Sequence, residues 1–196
     1  MIPEERLSTI PKGAAFMGAR ASTDIGPLLD REDGGVDLQD PSQGLLAKQW
    51  LGVCDGSDIV ISASGVSPIT VVTDSDITEF AFTFDQNMNV TVSYRAGGIT
   101  KLNWFDIIAN DQVTTTWGAD YLSPRVALDD KHPLASDTSD VIFAYVRDGA
   151  LYYRHQRDRY QAEKLLLADM EGRLLRKIGM NTQNRFQFGC YVPEAS

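Results

Sequence analysis

Short runs of β-branched and aromatic residues, each closed by a turn, constrain the fold of this chain more than any other feature. "DIVISAS" and "PITVVTD" are followed by "ITEFAFTF", "VTVSY", "ITKLNWFDII" and "VTTTW". Runs of this length and composition read as strands, and the breakers between them ("DQNMN", "RAGG", "ANDQ") read as turns of antiparallel hairpins. In "VTVSY", Val90, Val92 and Tyr94 share one face, because side chains alternate across a strand. In "ITEFAFTF", Ile77, Phe80, Phe82 and Phe84 are apolar, but Ala81 breaks strict alternation.

The order then recurs. "SPRVALDD" stands for the strand before the turn, "SDVIFAYV" for "MNVTVSYR", "ALYYRHQRD" for "ITKLNWFDI" and "YQAEKLLL" for "VTTTW". Tyr145 follows Tyr94, and Gly149 follows Gly98, at a constant offset of 51 (145 − 94 and 149 − 98). Each unit is a meander of about four strands, the size of a propeller blade. The expected fold class is therefore mainly β: antiparallel meanders forming two blade-like four-stranded units, arranged as a sandwich or an incomplete propeller.

The two ends of the chain read differently. Met1 to Leu46 holds Pro3, Pro11, Gly13, Gly18, Gly26, Pro27, Gly34, Gly35 and Pro41, and "DREDGGVDLQDPSQG" is acidic with no face to bury. This stretch, 1–46, is expected to be an extended N-terminal arm with at most one short helix, either folding on a neighbouring subunit or forming a plain floppy terminus, preceding a β-rich domain over 47–196. Beyond Ala168, "GRLLRKIG" and "RFQFGCYV" flank "MNTQN" and read as two further strands. A short helix over Ala162 to Leu175 is the rival, because Ala, Glu, Lys, Leu and Met favour helices.

Charge narrows the partners. The 196 residues carry a formal net charge of −9, which repels phosphate backbones, so nucleic acid is not expected. No apolar run approaches the roughly 20 residues needed to span a bilayer. The start, "MIPEERLSTIPKG", has two early glutamates and no apolar segment, so no secretory signal is expected. Cys54 and Cys190 lie in no Cys-x-x-Cys and near no histidine, and read as two buried thiols, with a disulfide between them as the alternative.

The most patterned stretch is "SDVIFAYVRDGALYYRHQRDRY", Ser139 to Tyr160. Both faces of "VIFAYV" are apolar, which predicts a strand buried on two sides. After the "RDG" turn, Leu151, Tyr153, His155 and Arg157 take one face and Tyr152, Arg154 and Gln156 the other. Tyrosine and arginine concentrate binding energy at protein interfaces. Tyr152, Arg154, Gln156 and Arg157 are therefore the candidate protein-interface residues, with one face expected to pack in the domain and the other to meet a neighbouring subunit.

The signatures of chemistry are weak. The chain holds no Gly-x-x-x-x-Gly-Lys-Ser/Thr, Gly-x-Gly-x-x-Gly, Gly-x-Ser-x-Gly or His-Glu-x-x-His. "DDKHP" puts two carboxylates near His132, and His155 could act as a base with Asp158 or Asp130, but a polar turn explains the first and no nucleophile accompanies the second. "CDGSD" and "DSD" resemble fragments of calcium loops without the full ligand spacing. No cofactor or metal is expected.

"LDDKHPLASDTSDVIFAYVRDGALYYRHQRDRYQAEKLL" and "KIGMNTQNRFQF", with "DPSQGLLAKQWLGV" and "ITEFAFTFDQNMNVTVSY", resemble segments of β-rich tail or neck proteins of tailed bacteriophages, over about Asp40 to Phe188. The resemblance implies a non-enzymatic virion component, made in the bacterial host cytoplasm, whose partners are identical subunits and other phage tail or neck proteins. The alternative is a receptor- or carbohydrate-binding tail accessory module that meets a host surface glycan, with Trp104, Trp117, Tyr152 and Tyr153 as stacking candidates.

Overall fold

A computed structural model describes residues 14–17, 50–63, 66–85, 89–128, 140–180 and 186–193. The chain is mainly β, and the fourteen strands among the described residues form antiparallel sheets in chain order. The first sheet holds β1 (Ala14–Met17), β2 (Trp50–Cys54), β3 (Asp58–Ala63) and β4 (Val66–Thr73). The second holds β5 (Ile77–Phe84), β6 (Val90–Ala96), β7 (Ile99–Asp106) and β8 (Asp111–Gly118). The third holds β9 (Leu122–Leu128), β10 (Val141–Arg147), β11 (Ala150–His155) and β12 (Lys164–Leu167). A hairpin of β13 (Leu174–Met180) and β14 (Phe186–Tyr191) ends the series.

The two meanders read from the repeat are the second and third sheets, and their shared geometry is visible in the turns. Gly97 and Gly98 have φ of 57° and 76°; Asp148 and Gly149, at the same offset of 51, have 50° and 75°. Two successive left-handed residues make the turn whose twist matches the flanking strands. The structure adds a third meander, the first sheet, whose β1 lies within the stretch expected to be an arm. "AAFM" is too short to read as a strand alone; it is held by antiparallel pairing of Ala14 to Met17 with Val53 to Trp50. The rest of the expected arm, with His132 and "DDKHP", lies outside the described residues. At the other end, strands β12 and β13 occupy the segment for which a helix was the rival.

The sheets stack face to face. First strands pack on first strands, β1 on β5, β5 on β9 and β9 on β13, as in consecutive blades of an open propeller. Trp50, Ile59, Ile61 and Val72 of the first sheet meet Phe82, Phe84, Val92 and Tyr94 of the second. Leu102 and Trp104 meet Val126, Val141, Phe143 and Tyr145. Ala144, Val146 and Leu151 meet Met170 and Leu175. Each fully buried Leu, Ile or Phe contributes about 1.5–3 kcal/mol by leaving water. The first two sheets approach so closely at Gly52 that a Cβ there would lie 2.7 Å from Phe82 Cε1 and 2.8 Å from Phe80 Cε2. Arg125 of β9 ties three first strands together: its Nη1 meets Glu79 Oε2 of β5 at 3.1 Å, and its Nε donates to the Arg176 carbonyl of β13 at 2.9 Å.

Cys54 and Cys190 are free thiols, in the first sheet and the terminal hairpin respectively. Two sheets stand between them, so the alternative of a disulfide within the chain does not hold. Burial pushes the Cys190 thiol above its ordinary pKa.

Candidate functional site

The tyrosine–arginine hairpin lies in the third sheet, which has neighbours on both faces. Tyr152 stands opposite Tyr145, and Arg154 opposite Phe143. This face turns toward the second sheet. On the reverse face Leu151 packs with Met170 and Leu175, and Tyr153 packs against Phe186 at 6.0 Å. Every residue from Val141 to Val146 is buried, as the two apolar faces of "VIFAYV" predict.

Arg154 is only 9% exposed. Its Nε donates to the Tyr145 hydroxyl at 2.7 Å, one Nη donates to the carbonyls of Tyr160 and Gln161 at 2.9 and 2.7 Å, and the other to Glu163 at 3.0 Å. The guanidinium lies 4.7 Å over the Trp117 ring. Arg147 grips both oxygens of Glu163, at 2.7 and 2.9 Å, and donates to the Tyr121 hydroxyl at 2.9 Å. It also lies over the rings of Tyr152 and Tyr121, at 5.0 and 5.3 Å. The Tyr145 hydroxyl donates to Glu163 as well. One carboxylate thus organises two guanidinium groups and a phenol. Burial opposes the Glu163 charge, but the Tyr145 hydroxyl and the two arginines outweigh it and hold the carboxyl below its usual range. Burial and the adjacent Glu163 push the Tyr145 phenol well up, so it stays a donor at neutral pH.

A second network joins the end of this strand to the start of β10. Asp140 is buried and accepts from the Arg157 backbone N–H at 3.0 Å and from Arg157 Nε at 2.8 Å, with His155 Nδ1 at 3.3 Å. Burial raises the cost of its charge, yet the bonds from His155 and Arg157 hold the Asp140 carboxyl low. Gln156 Nε2 donates to the Phe105 carbonyl at 3.1 Å, bridging to the second sheet. Arg159 pairs with the buried Asp106, also in the second sheet.

The four candidate interface residues therefore sit differently from the expectation that one face meets a neighbour. Arg154 is interior and saturated with bonds from its own chain. Tyr152 is half-buried beneath Arg147, and Gln156 is spent on the second sheet. Arg157 keeps 56% of its side chain exposed while its Nε holds Asp140. The physical reason is the sheet count: alternation shows that a strand has two faces, not how many sheets cover them. Of the stacking candidates, Trp104 is buried and Trp117, Tyr152 and Tyr153 are half-buried. Trp104 is 4% exposed and donates from Nε1 to Thr115 at 3.1 Å; Trp117 lies between Tyr121 and Phe143. His155 faces Asp140, where Asp158 or Asp130 was anticipated as its partner. Sequence reasoning missed Glu163; its one signal was being the first acid after four arginines in "RDGALYYRHQRDRYQAE".

Among the described residues, no three His, Cys, Asp or Glu side chains gather as a metal site. No helix among them is long and apolar enough to cross a membrane. No family model, curated protein or solved structure matches the chain.

Proposed function

We propose that this chain is a non-enzymatic structural component of a tailed-bacteriophage virion, placed in the tail or at the head-to-tail connection and acting through protein–protein contacts. The observation that carries this reading is the open stack. Three four-stranded sheets and a hairpin follow one another with their intervening faces packed. Such a stack ends in a sheet face at either end, and sheet faces are what the interior of the stack packs together. The rigid Tyr–Arg–Glu network suits it to bear load, since it locks the third sheet internally. The resemblance of "SDVIFAYVRDGALYYRHQRDRY" and its flanks to phage tail and neck segments supplies the setting. Mass spectrometry of purified virions, with cryo-EM for position and copy number, tests the proposal. Absence of the chain from intact particles would refute it.

A further inference from the structure

The two ends of the stack carry opposite charge. From Trp50 to Asp76, covering β2 to β4 of the first sheet and the turn to the second, the chain holds Asp55, Asp58, Asp74 and Asp76 and no Lys or Arg. From Gly172 to Pro193, covering the terminal hairpin, it holds Arg173, Arg176, Lys177 and Arg185 and no Asp or Glu. A chain with a net charge of −9 thus keeps the two strands of its hairpin free of acid, while Arg173 just ahead of them pairs with Glu171 at 2.7 Å and Asp74 at the acidic end pairs with Lys101 at 2.6 Å.

These charges also lie at the same level of the stack. Strands alternate direction in each meander, and each new sheet begins where the last strand of the previous one ends. The β2–β3 turn, with Asp55 and Asp58, is therefore at the end where β5 begins, and Ile77 N–H donates to the Gly56 carbonyl at 2.8 Å. The β10–β11 turn is likewise at the end where β13 begins, with Met170 N–H donating to the Gly149 carbonyl at 2.7 Å. Arg173 precedes β13, and Arg176 and Lys177 lie in its first half, both exposed. Placed in the next position of the series, an acidic first sheet would meet a basic hairpin level for level.

The outer surfaces suit such a contact. On the first sheet, Val53, Val60 and Thr70 form one cross-strand row, opposite in facing to the packed Ile59, Ile61 and Val72. Val53 is 37% exposed. On the hairpin, Tyr191 is 39% and Val192 71% exposed. We propose that a second copy of this chain docks head to tail, the outer face of its first sheet on the outer face of the hairpin, and that two copies close a ring. Among the described residues each copy supplies three four-stranded sheets and a two-stranded hairpin that takes the fourth position. Closed propellers hold about four to eight blades, so two copies fill a ring and a third exceeds it. A heterologous contact of this kind either closes or grows into a filament, and closure at two gives both copies identical interfaces. The inference deepens the assembly reading without needing a virion, since it concerns the purified chain.

Light scattering coupled to size exclusion, at micromolar concentration and low salt, is expected to give the mass of two chains, falling toward one as salt screens the contact. Two variants test the surfaces separately. R173E/R176E/K177E takes the hairpin's four cations from +4 to −2; V53K/D58K/V60K/T70K takes β2 to β4 and the turn that follows from −4 to +1. Each places like charges across the contact and should weaken self-association about a hundredfold, with an unchanged circular dichroism spectrum. Mixing the two variants is the decisive measurement. In the mixed dimer one interface is native and the other has both charges exchanged, so the pair should associate where neither variant does alone. A wild-type chain that stays monomeric, a mass of three or more chains, or variant monomers that fail to associate on mixing would overturn the proposal.

Discussion

Replacing Glu163 by glutamine tests the buried network at its centre. The change keeps size and shape but removes the carboxylate that Arg147 and Arg154 share. Arg147 makes two bonds to it and Arg154 a third, at 2.7, 2.9 and 3.0 Å. A hydrogen bond with a charged partner is worth about 1.5–3 kcal/mol and a neutral one about 0.5–1.5, so three such bonds lose about 3 kcal/mol together. Stranding a charge by removing its buried partner costs about 3–5 kcal/mol. Glu163 keeps 20% of its side chain exposed, and solvent screening lowers the expectation to about 2–3 kcal/mol at pH 7. In a chain of this size that is a fall of roughly 4–12 °C in Tm. Chemical denaturation followed by tryptophan fluorescence is the direct assay, because Trp117 lies against Arg154. The pH dependence has a definite sign. The Glu163 carboxyl is depressed in the folded protein, so its contribution is present above the unfolded value near 4.5 and is lost as pH falls through the lower folded value. The gap between wild type and E163Q should therefore be full at neutral pH and close progressively below about pH 4.5. A destabilisation under about 0.5 kcal/mol, or a gap that does not narrow in acid, would refute the assignment of Glu163 as the counter-charge.

Two glycines should respond to alanine for different reasons. At Gly149 nothing lies within 4 Å of a new Cβ, so G149A meets only the cost of a left-handed φ, about 1–2 kcal/mol; at Gly52 the Cβ would press on the Phe80 and Phe82 rings, and G52A should cost about 1–3 kcal/mol and shift aromatic signals between the first two sheets. Equal spectra for G52A and wild type would show that the two sheets do not approach as described. Tyr160 is fully buried, and its hydroxyl has no hydrogen-bond partner among the described residues, so Y160F should leave denaturant stability unchanged or raise it by about 1 kcal/mol; a loss above that value would reveal a partner.

Much of the fold was legible because it is written in local signals. The β-branched runs and their turns mark strands β3 to β11 one by one, and the Gly98–Gly149 offset marks the repeated hairpin, because only certain residues accept two successive left-handed conformations. Ala14 to Met17 gave no such signal. Four apolar residues between breakers become a strand only when Trp50 to Val53 lies beside them. The site was legible as composition but not as arrangement. Arg147, Arg154, Arg157 and Arg159 stood out together, yet their acids come from four places: Asp106 in the second sheet, Asp140 before β10, Asp148 in the turn and Glu163 before β12.

The sequence by itself determined that this chain makes antiparallel meanders, where their turns fall, and that "VIFAYV" is covered on both faces. Those properties follow from side-chain alternation and backbone preference, which act over a few residues. Only the tertiary structure decided that a third meander precedes the two, that Arg154 is buried between sheets with Tyr152 half-buried beside it, and that Glu163 is the counter-charge of Arg147 and Arg154. It also decided that an acidic segment ending at Asp76 and a basic one beginning at Gly172 lie at the same level on opposite ends of one stack. Contacts of that kind depend on which sheet packs on which, and no period of two along a strand records it.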